Sequence, residues 1–235
     1  MTRALLLLSL IFWNVCLLAQ NIARQQLIDN AATEYLQAAG NQSVLYYGKV
    51  QEGYPRVSNH PYLVDELFTK ARLSYNGVIY PEVLLRLDLS NDELIIMSPG
   101  FREIVLFPEN VDFAELHGYT IIYFRQDGLP GCPSAGYYTL LYSGKCKVLE
   151  KNKAVLMPPS SSGSQYYFSF STNYYLNKDG IYYSIRNKQG LLKVLQPYKK
   201  ELKRFISANR WQFRHDAEEL IRQTVIEYEK LSGTL

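Results

Sequence analysis

Hydrophobic and polar residues change their period twice along this chain. Between residues 21 and 39, Ile22, Leu27, Ile28, Ala31, Ala32, Tyr35, Leu36 and Ala39 recur near helical spacing, and Gly40-Asn41 supplies a stop. That pattern predicts an amphipathic helix that must pack on something. From Ser43 to about Arg186 the period shortens to that of strands. Strands are predicted at 44–50, 72–75, 78–80, 82–89, 93–97, 103–107, 112–116, 119–125, 137–142, 145–151, 166–171, 174–177 and 181–185. Asn76-Gly77 is the strongest hairpin signal, and turns at Asn91-Asp92, Gly118, Ser143-Gly144 and Lys178-Asp179-Gly180 join other pairs. Residues 53–69 read as irregular, because Pro55 and Pro61 block regular pairing. Connections this short imply neighbouring antiparallel strands, that is, a meander.

The last fifty residues return to a helical period. A short helix is predicted at 189–195, and Pro197 is placed to open the next, on which Leu202, Phe205 and Ile206 share a face. Asp216, with Glu219 three residues on, is placed to cap a final helix striped by Leu220, Ile221, Thr224, Val225, Tyr228 and Leu231. The predicted class is α+β: a curved antiparallel meander, open or rolled into a partial barrel, with an N-terminal helix and a C-terminal helical segment. Its segments are 20–40 for the first helix, 41–186 for the sheet and 187–235 for the helical end.

Residues 1–19 follow a different logic. Arg3 precedes an apolar run from Ala4 to Leu18, and Ala19 is the small residue expected before a cut. At about 15 residues the run is shorter than the roughly 20 needed to cross a bilayer. A cleavable secretory signal peptide is therefore expected, with the working protein starting near Gln20, exported to the periplasm or cell envelope and without an integral span. Lipidation at Cys16 is the rival, but Val15 before it and Leu17-Leu18 behind it do not suit a lipobox.

Composition refines this picture in three places. Twenty Tyr against ten Phe suits half-buried strands. Removing Arg3 from the 25 basic residues leaves 24 against 22 acidic ones, which argues against a dedicated nucleic-acid binder. The charge is uneven, however: Arg186, Lys188, Lys193, Lys199, Lys200, Lys203, Arg204, Arg210 and Arg214 face the single acid Glu201 in 186–214. Lys193, Lys199, Lys200, Lys203, Arg204, Arg210 and Arg214 form a candidate basic interaction patch, either a solvated helix face or a site for an acidic partner or membrane surface.

Chemistry is sparse. His60, His117 and His215 each lack a second ligand at metal spacing, and no HExxH, CxxC pair, nucleophile elbow or phosphate loop occurs, so no cofactor, metal or catalytic set is predicted. Cys132 and Cys146 are either a structural disulfide, which export permits, or two free thiols. Asp88, Asp92, Glu93, Glu103, Glu109, Asp112 and Glu115 lie in the sheet region, and a glycosidase would need two such acids to converge.

Several stretches carry a resemblance: Gly40-Asn41-Gln42-Ser43 with Leu45-Tyr46-Tyr47-Gly48, His60-Pro61-Tyr62, Tyr75-Asn76-Gly77 with Tyr80, and Leu116-His117-Gly118-Tyr119. Residues 138–147, Tyr174-Tyr175-Leu176 with Gly180, and the basic then amphipathic pattern over 199–228 extend it. Together they resemble an uncharacterised family of exported Bacteroidota proteins. The resemblance implies a cell-envelope location and no assigned activity. The expected role is a non-catalytic envelope protein that binds another protein, such as an outer-membrane component. A carrier of an apolar or lipid ligand and a glycan-acting hydrolase are the alternatives.

Overall fold

The computed structural model describes residue 20 and residues 23–35, 38–40, 43–159 and 164–233. The expected signal peptide, its expected cut and Cys16 lie outside the described residues. Helix α1 covers 23–35. Eleven strands follow: β1 (Lys49–Val50), β2 (Thr69–Tyr75), β3 (Val78–Asp88), β4 (Glu93–Met97), β5 (Glu103–Val105), β6 (Val111–Leu116), β7 (Tyr119–Phe124), β8 (Gly136–Ser143), β9 (Lys147–Met157), β10 (Tyr167–Lys178) and β11 (Ile181–Ile185). Helices α2 (Lys188–Val194), α3 (Lys199–Ala208) and α4 (Phe213–Leu231) close the chain.

The expected α+β class holds, with one antiparallel sheet ordered β1-β5-β4-β3-β2-β6-β7-β8-β9-β10-β11 and not closed into a barrel. It is two meanders joined where β2 pairs with β6. Turn chemistry sets the hairpins. Asn76 and Gly77 take φ of 54° and 72°, and His117 and Gly118 take 53° and 82°, the double positive φ of a tight hairpin turn. His117 thus serves a turn, with its Nε2 3.3 Å from Thr69 Oγ1.

Three local expectations are corrected. The strand expected at 44–50 is a 3-10 turn, Val44–Tyr46, followed by two strand residues, because Ser43 Oγ accepts from Leu45 N and bends the chain first. The separate strands expected at 166–171 and 174–177 are one strand, β10, paired with β9 from Tyr167 to Asn177. Its polar stretch did not break it, since Thr172 Oγ1 donates to Asn152 Oδ1 across the ladder. Finally, α4 starts at Phe213, and Asp216 sits one turn inside, at a kink, where its Oδ2 accepts from Gln212 N. Glu219 pairs with Arg222 instead of closing a capping box.

The sheet curls strongly. The β3–β4 turn docks on β9, which lies five strands away in the order: Leu89 O accepts from Ala154 N, and Asp92 Oδ1 receives Lys151 Nζ at 2.5 Å. Residues 54–62 strap the roll. Leu89 N donates to Pro61 O, and the Asn59 amide both donates to Phe168 O and accepts from Phe168 N. Arg86 pins this strap. Its guanidinium lies 3.8 Å from the Tyr62 ring and 4.2 Å from Phe68, 2.6 Å from Glu103 Oε2, and donates to Glu66 O.

Curling makes an inner core from β2–β7, with Leu73, Leu85, Leu94, Ile96 and Ile121 fully buried. A second core joins β9–β11 to the helices through Val148, Leu176, Leu202, Ile206, Leu220 and Val225. A third, on the opposite face of β7–β11, stacks Phe124 edge-on against Tyr138 and Tyr182, while most of the other tyrosines are shared between the first two cores.

Candidate functional site

The seven predicted basic side chains fall on the C-terminal helices. Lys193 is on α2, Lys199, Lys200, Lys203 and Arg204 are on α3, Arg210 is in the α3–α4 link, and Arg214 is on the first turn of α4. All seven are exposed, and none forms an ion pair among the described residues. The amphipathic pattern of α3 explains the placement: Leu202 and Ile206 are fully buried in the second core, so the intervening cations are turned outward. These cations sit on a scaffold tied from below. Glu229 of α4, 2% exposed, accepts from Cys146 N at 2.6 Å and from Tyr142 Oη at 2.9 Å. A Cβ on Gly144 would run into both Tyr142 Oη and Glu229 Oε2.

The cysteines are two free thiols rather than a disulfide. Cys146 is buried in the helix-facing core, while Cys132 packs on the third core across the sheet. Burial, then the negative charge of Glu229, pushes the Cys146 thiol up to about 12, so it is no nucleophile at neutral pH. His60 Nδ1 accepts from Tyr62 N, and the two rings stack at 5.9 Å. No group of three His, Cys, Asp or Glu side chains suited to a metal occurs among the described residues.

The acids noted in the sheet region are mostly engaged with protein partners. Asp88 accepts from Tyr54 Oη at 2.5 Å and from the amides of Ser90 and Asn91. Asp92 pairs with Lys151, Glu103 with Arg86, and Glu115 with Arg72, while Asp112 accepts from Ser74 Oγ and Gly77 N.

Two other carboxyls influence each other through their charge, and sequence reasoning missed both. Thr139, Glu150 and Tyr174 are successive cross-strand partners on β8, β9 and β10. The start of α4 lies over this row, leaving two hollows of about 460 and 290 Å³ that share Glu218 and Glu219 as a wall. Tyr174 and Trp211 line the larger, Tyr119 and Thr139 the smaller. Glu150 is 6% exposed; Asn152 Nδ2 donates to its Oε1, and its Oε2 has no hydrogen-bond partner among the described residues. Burial raises the Glu150 carboxyl above the ordinary range, and the nearby charge of Glu218 adds to the effect. Burial, followed by the charges of Glu150 and Glu218, likewise raises the Tyr174 phenol. The only available sequence cue was one acid inside the alternating pattern of β9, and its partner lies 68 residues downstream on another element.

Because Glu150 is raised, the folded state holds its proton more tightly than the unfolded chain does. Its contribution to stability is full below the ordinary glutamate pKa and is lost as pH rises through the raised value. Glu150→Gln is expected to remove that slope and to gain about 1 kcal/mol at neutral pH, roughly 2–4 °C in Tm. Melting curves of both proteins at pH 4 and pH 7 check this, and an equal shift at both pH values would contradict it.

One further hollow, about 540 Å³, lies between α1 and the β2–β3 hairpin, lined by Ile28, Ala31, Tyr35, Val44, Val78 and Tyr80 among others. Of α1's apolar side chains only Ala32 is buried, so the helix covers the hairpin incompletely.

No protein-family model, no curated protein and no solved structure matches this chain.

Proposed function

We propose that this is an exported, non-catalytic cell-envelope protein that works by binding another protein, and that it takes an acidic partner on the basic surface of α2, α3 and the start of α4. The observation that supports the reading is that seven exposed cations, on the C-terminal helices and the α3–α4 link, stand without ion pairs among the described residues, while the other face of these helices is locked in a core. Such a surface is prepaid in rigidity and attracts an acidic partner over about a Debye length, near 8 Å at physiological salt. The export signal in the sequence and the resemblance to exported Bacteroidota proteins support the envelope location.

Crosslinking pull-downs from envelope extracts, with the chain and a Lys200→Glu, Lys203→Glu, Arg204→Glu variant, test this reading. A partner of acidic character enriched by the chain, and lost both in the variant and at raised salt, is the expected result. Equal recovery by the variant would overturn it.

The hollow beneath α1 favours a second reading, carriage of an apolar ligand. The concave side of the sheet is filled by Leu73, Leu85, Leu94 and Ile121, which leaves this hollow as the place for a lipid tail. Native mass spectrometry that finds the purified chain free of copurifying lipid would remove that reading.

A further inference from the structure

We propose that the open edge of β10 at residues 169–173 is a docking site for an extended polypeptide segment of another protein, which joins the sheet there as an added strand. This edge lies apart from the basic helices, and its role does not depend on theirs.

The backbone of β10 has a fixed parity, since successive residues of a strand turn their N–H and C=O groups to opposite neighbours. Phe168 N donates to Asn59 Oδ1 and Phe168 O accepts from Asn59 Nδ2, so residue 168 faces away from β9. At the other end, the tight turn Asp179-Gly180 makes Lys178 and Ile181 its closing pair. That turns residue 178, and with it 176 and 174, toward β11. Both ends agree: the even-numbered residues face away from β9. β11 pairs only as far back as Tyr174, and the strap reaches only Tyr166 and Phe168. Phe170 and Thr172 lie in the gap between them. Their outward N–H and C=O groups have no partner among the described residues, and residues 169–173 are all exposed.

Exposed sheet edges are ordinarily blunted by charge, proline, brevity or a cover. The two outermost strands follow that rule. β1 has two residues, one of them Lys49, and on β11 Tyr182 N donates to Pro130 O of the covering loop. The gap on β10 follows none of it: Ser169-Phe170-Ser171-Thr172-Asn173 carries no charge and no proline. It is also held extended, because β9 pairs with it throughout.

The chain itself adds to this edge on both sides of the gap, the strap in parallel at Val57 and Tyr166, and β11 antiparallel from Tyr174 onward. Only another extended backbone presents donors and acceptors at the spacing of the missing middle. A second copy of this chain does not fit, because its β10 continues past 169–173 in both directions and would run into the strap and β11 of the first. A tail or loop can enter and leave the gap. Phe170 continues the inner-core row of Phe168 and Ala154 yet is 52% exposed, so the docked segment sets an apolar side chain beside it.

Amide hydrogen exchange of the full chain, with and without a capped seven-residue peptide of alternating valine and threonine, tests this. In the free chain the amides of Phe170 and Thr172 are expected to exchange fast, and those of Ser169 and Ser171, which face β9, slowly. The peptide is expected to slow Phe170 and Thr172 by about tenfold or more in a saturable way, leaving Ser169 and Ser171 unchanged. The same peptide methylated on every amide nitrogen is expected to give no response. Phe170→Ala is expected to weaken binding by up to about fivefold, the loss of one cross-strand pair. Phe170→Pro removes an outward N–H, spares the ladder to β9, and is expected to abolish binding. The Lys200→Glu, Lys203→Glu, Arg204→Glu variant is expected to respond as the unaltered chain does, which separates this test from that of the basic surface. A response lost in that variant would place the peptide on the helices and overturn the proposal. No protection at millimolar peptide, or an equal response to the methylated peptide, would also overturn it. So would protection that grows with the chain's own concentration as its mass doubles, since the edge would then belong to a second copy.

Discussion

Replacing Arg86 with alanine is expected to destabilise the fold by about 3 kcal/mol, the low end of the range for removing one partner of a buried ion pair, because Glu103 is partly exposed. Arg86 is 9% exposed and works in several directions at once. It pairs with Glu103 of β5 at 2.6 Å, donates to Glu66 O just past the strap, and lies against the rings of Tyr62 and Phe68. Alanine would leave the Glu103 carboxylate half-buried without its cation and remove the guanidinium that both rings pack on. Lysine is expected to rescue little, since an ammonium cannot stack flat between rings or reach two acceptors as a fork. Urea unfolding measures the loss. A cost below about 1 kcal/mol, typical of an exposed pair, would mean that the strap holds without Arg86.

The second large effect is expected at Glu229. Its two oxygens join α4 to the β8–β9 turn through Cys146 N, which is buried, and Tyr142 Oη, which is partly buried. Glu229→Ala strands the amide and the phenol together and is expected to cost about 3 kcal/mol. Glu229→Gln keeps one acceptor and is expected to cost roughly half of that. Hydrogen exchange should report where the damage lies: amides of α4 after Leu220 should lose protection before those of β2–β4, because the two cores are distinct. Uniform loss of protection would show instead that the helices and the sheet unfold as one unit. The Cys146 thiol gives an independent readout. Glu229 is the second cause of its rise after burial, so Glu229→Ala should bring it down from about 12 without making it ordinary.

The site residues differ in how far they could be read from the chain. The basic patch was legible because α3 repeats Leu202 and Ile206 at helical spacing, so the cations between them had to face outward wherever the helix packed. The fate of the cysteines was not legible. Sequence separation said they were near, but Cys132 and Cys146 belong to cores on opposite faces of the sheet. Face is decided by strand parity and by the path of residues 125–135, which cover β11 through Pro130 O and Tyr182 N.

By itself, the sequence determined the elements whose cause is local. Asn76-Gly77 and His117-Gly118 demand tight hairpin turns, alternation makes strands, and apolar stripes make α3 and α4, because these preferences act within a few residues. The continuity of β10 was not local: its polar middle reads as a break, and the ladder to β9 overrides it. Only the tertiary structure decided how far the sheet curls, since that rests on the β3–β4 turn meeting β9 and on Arg86 pinning the strap. It alone set Glu150 of β9 within reach of the charge of Glu218 on α4. Charge, burial and missing partners are properties of the neighbours a side chain meets in space, and those neighbours are chosen by the packing of α4 on β8 and β9.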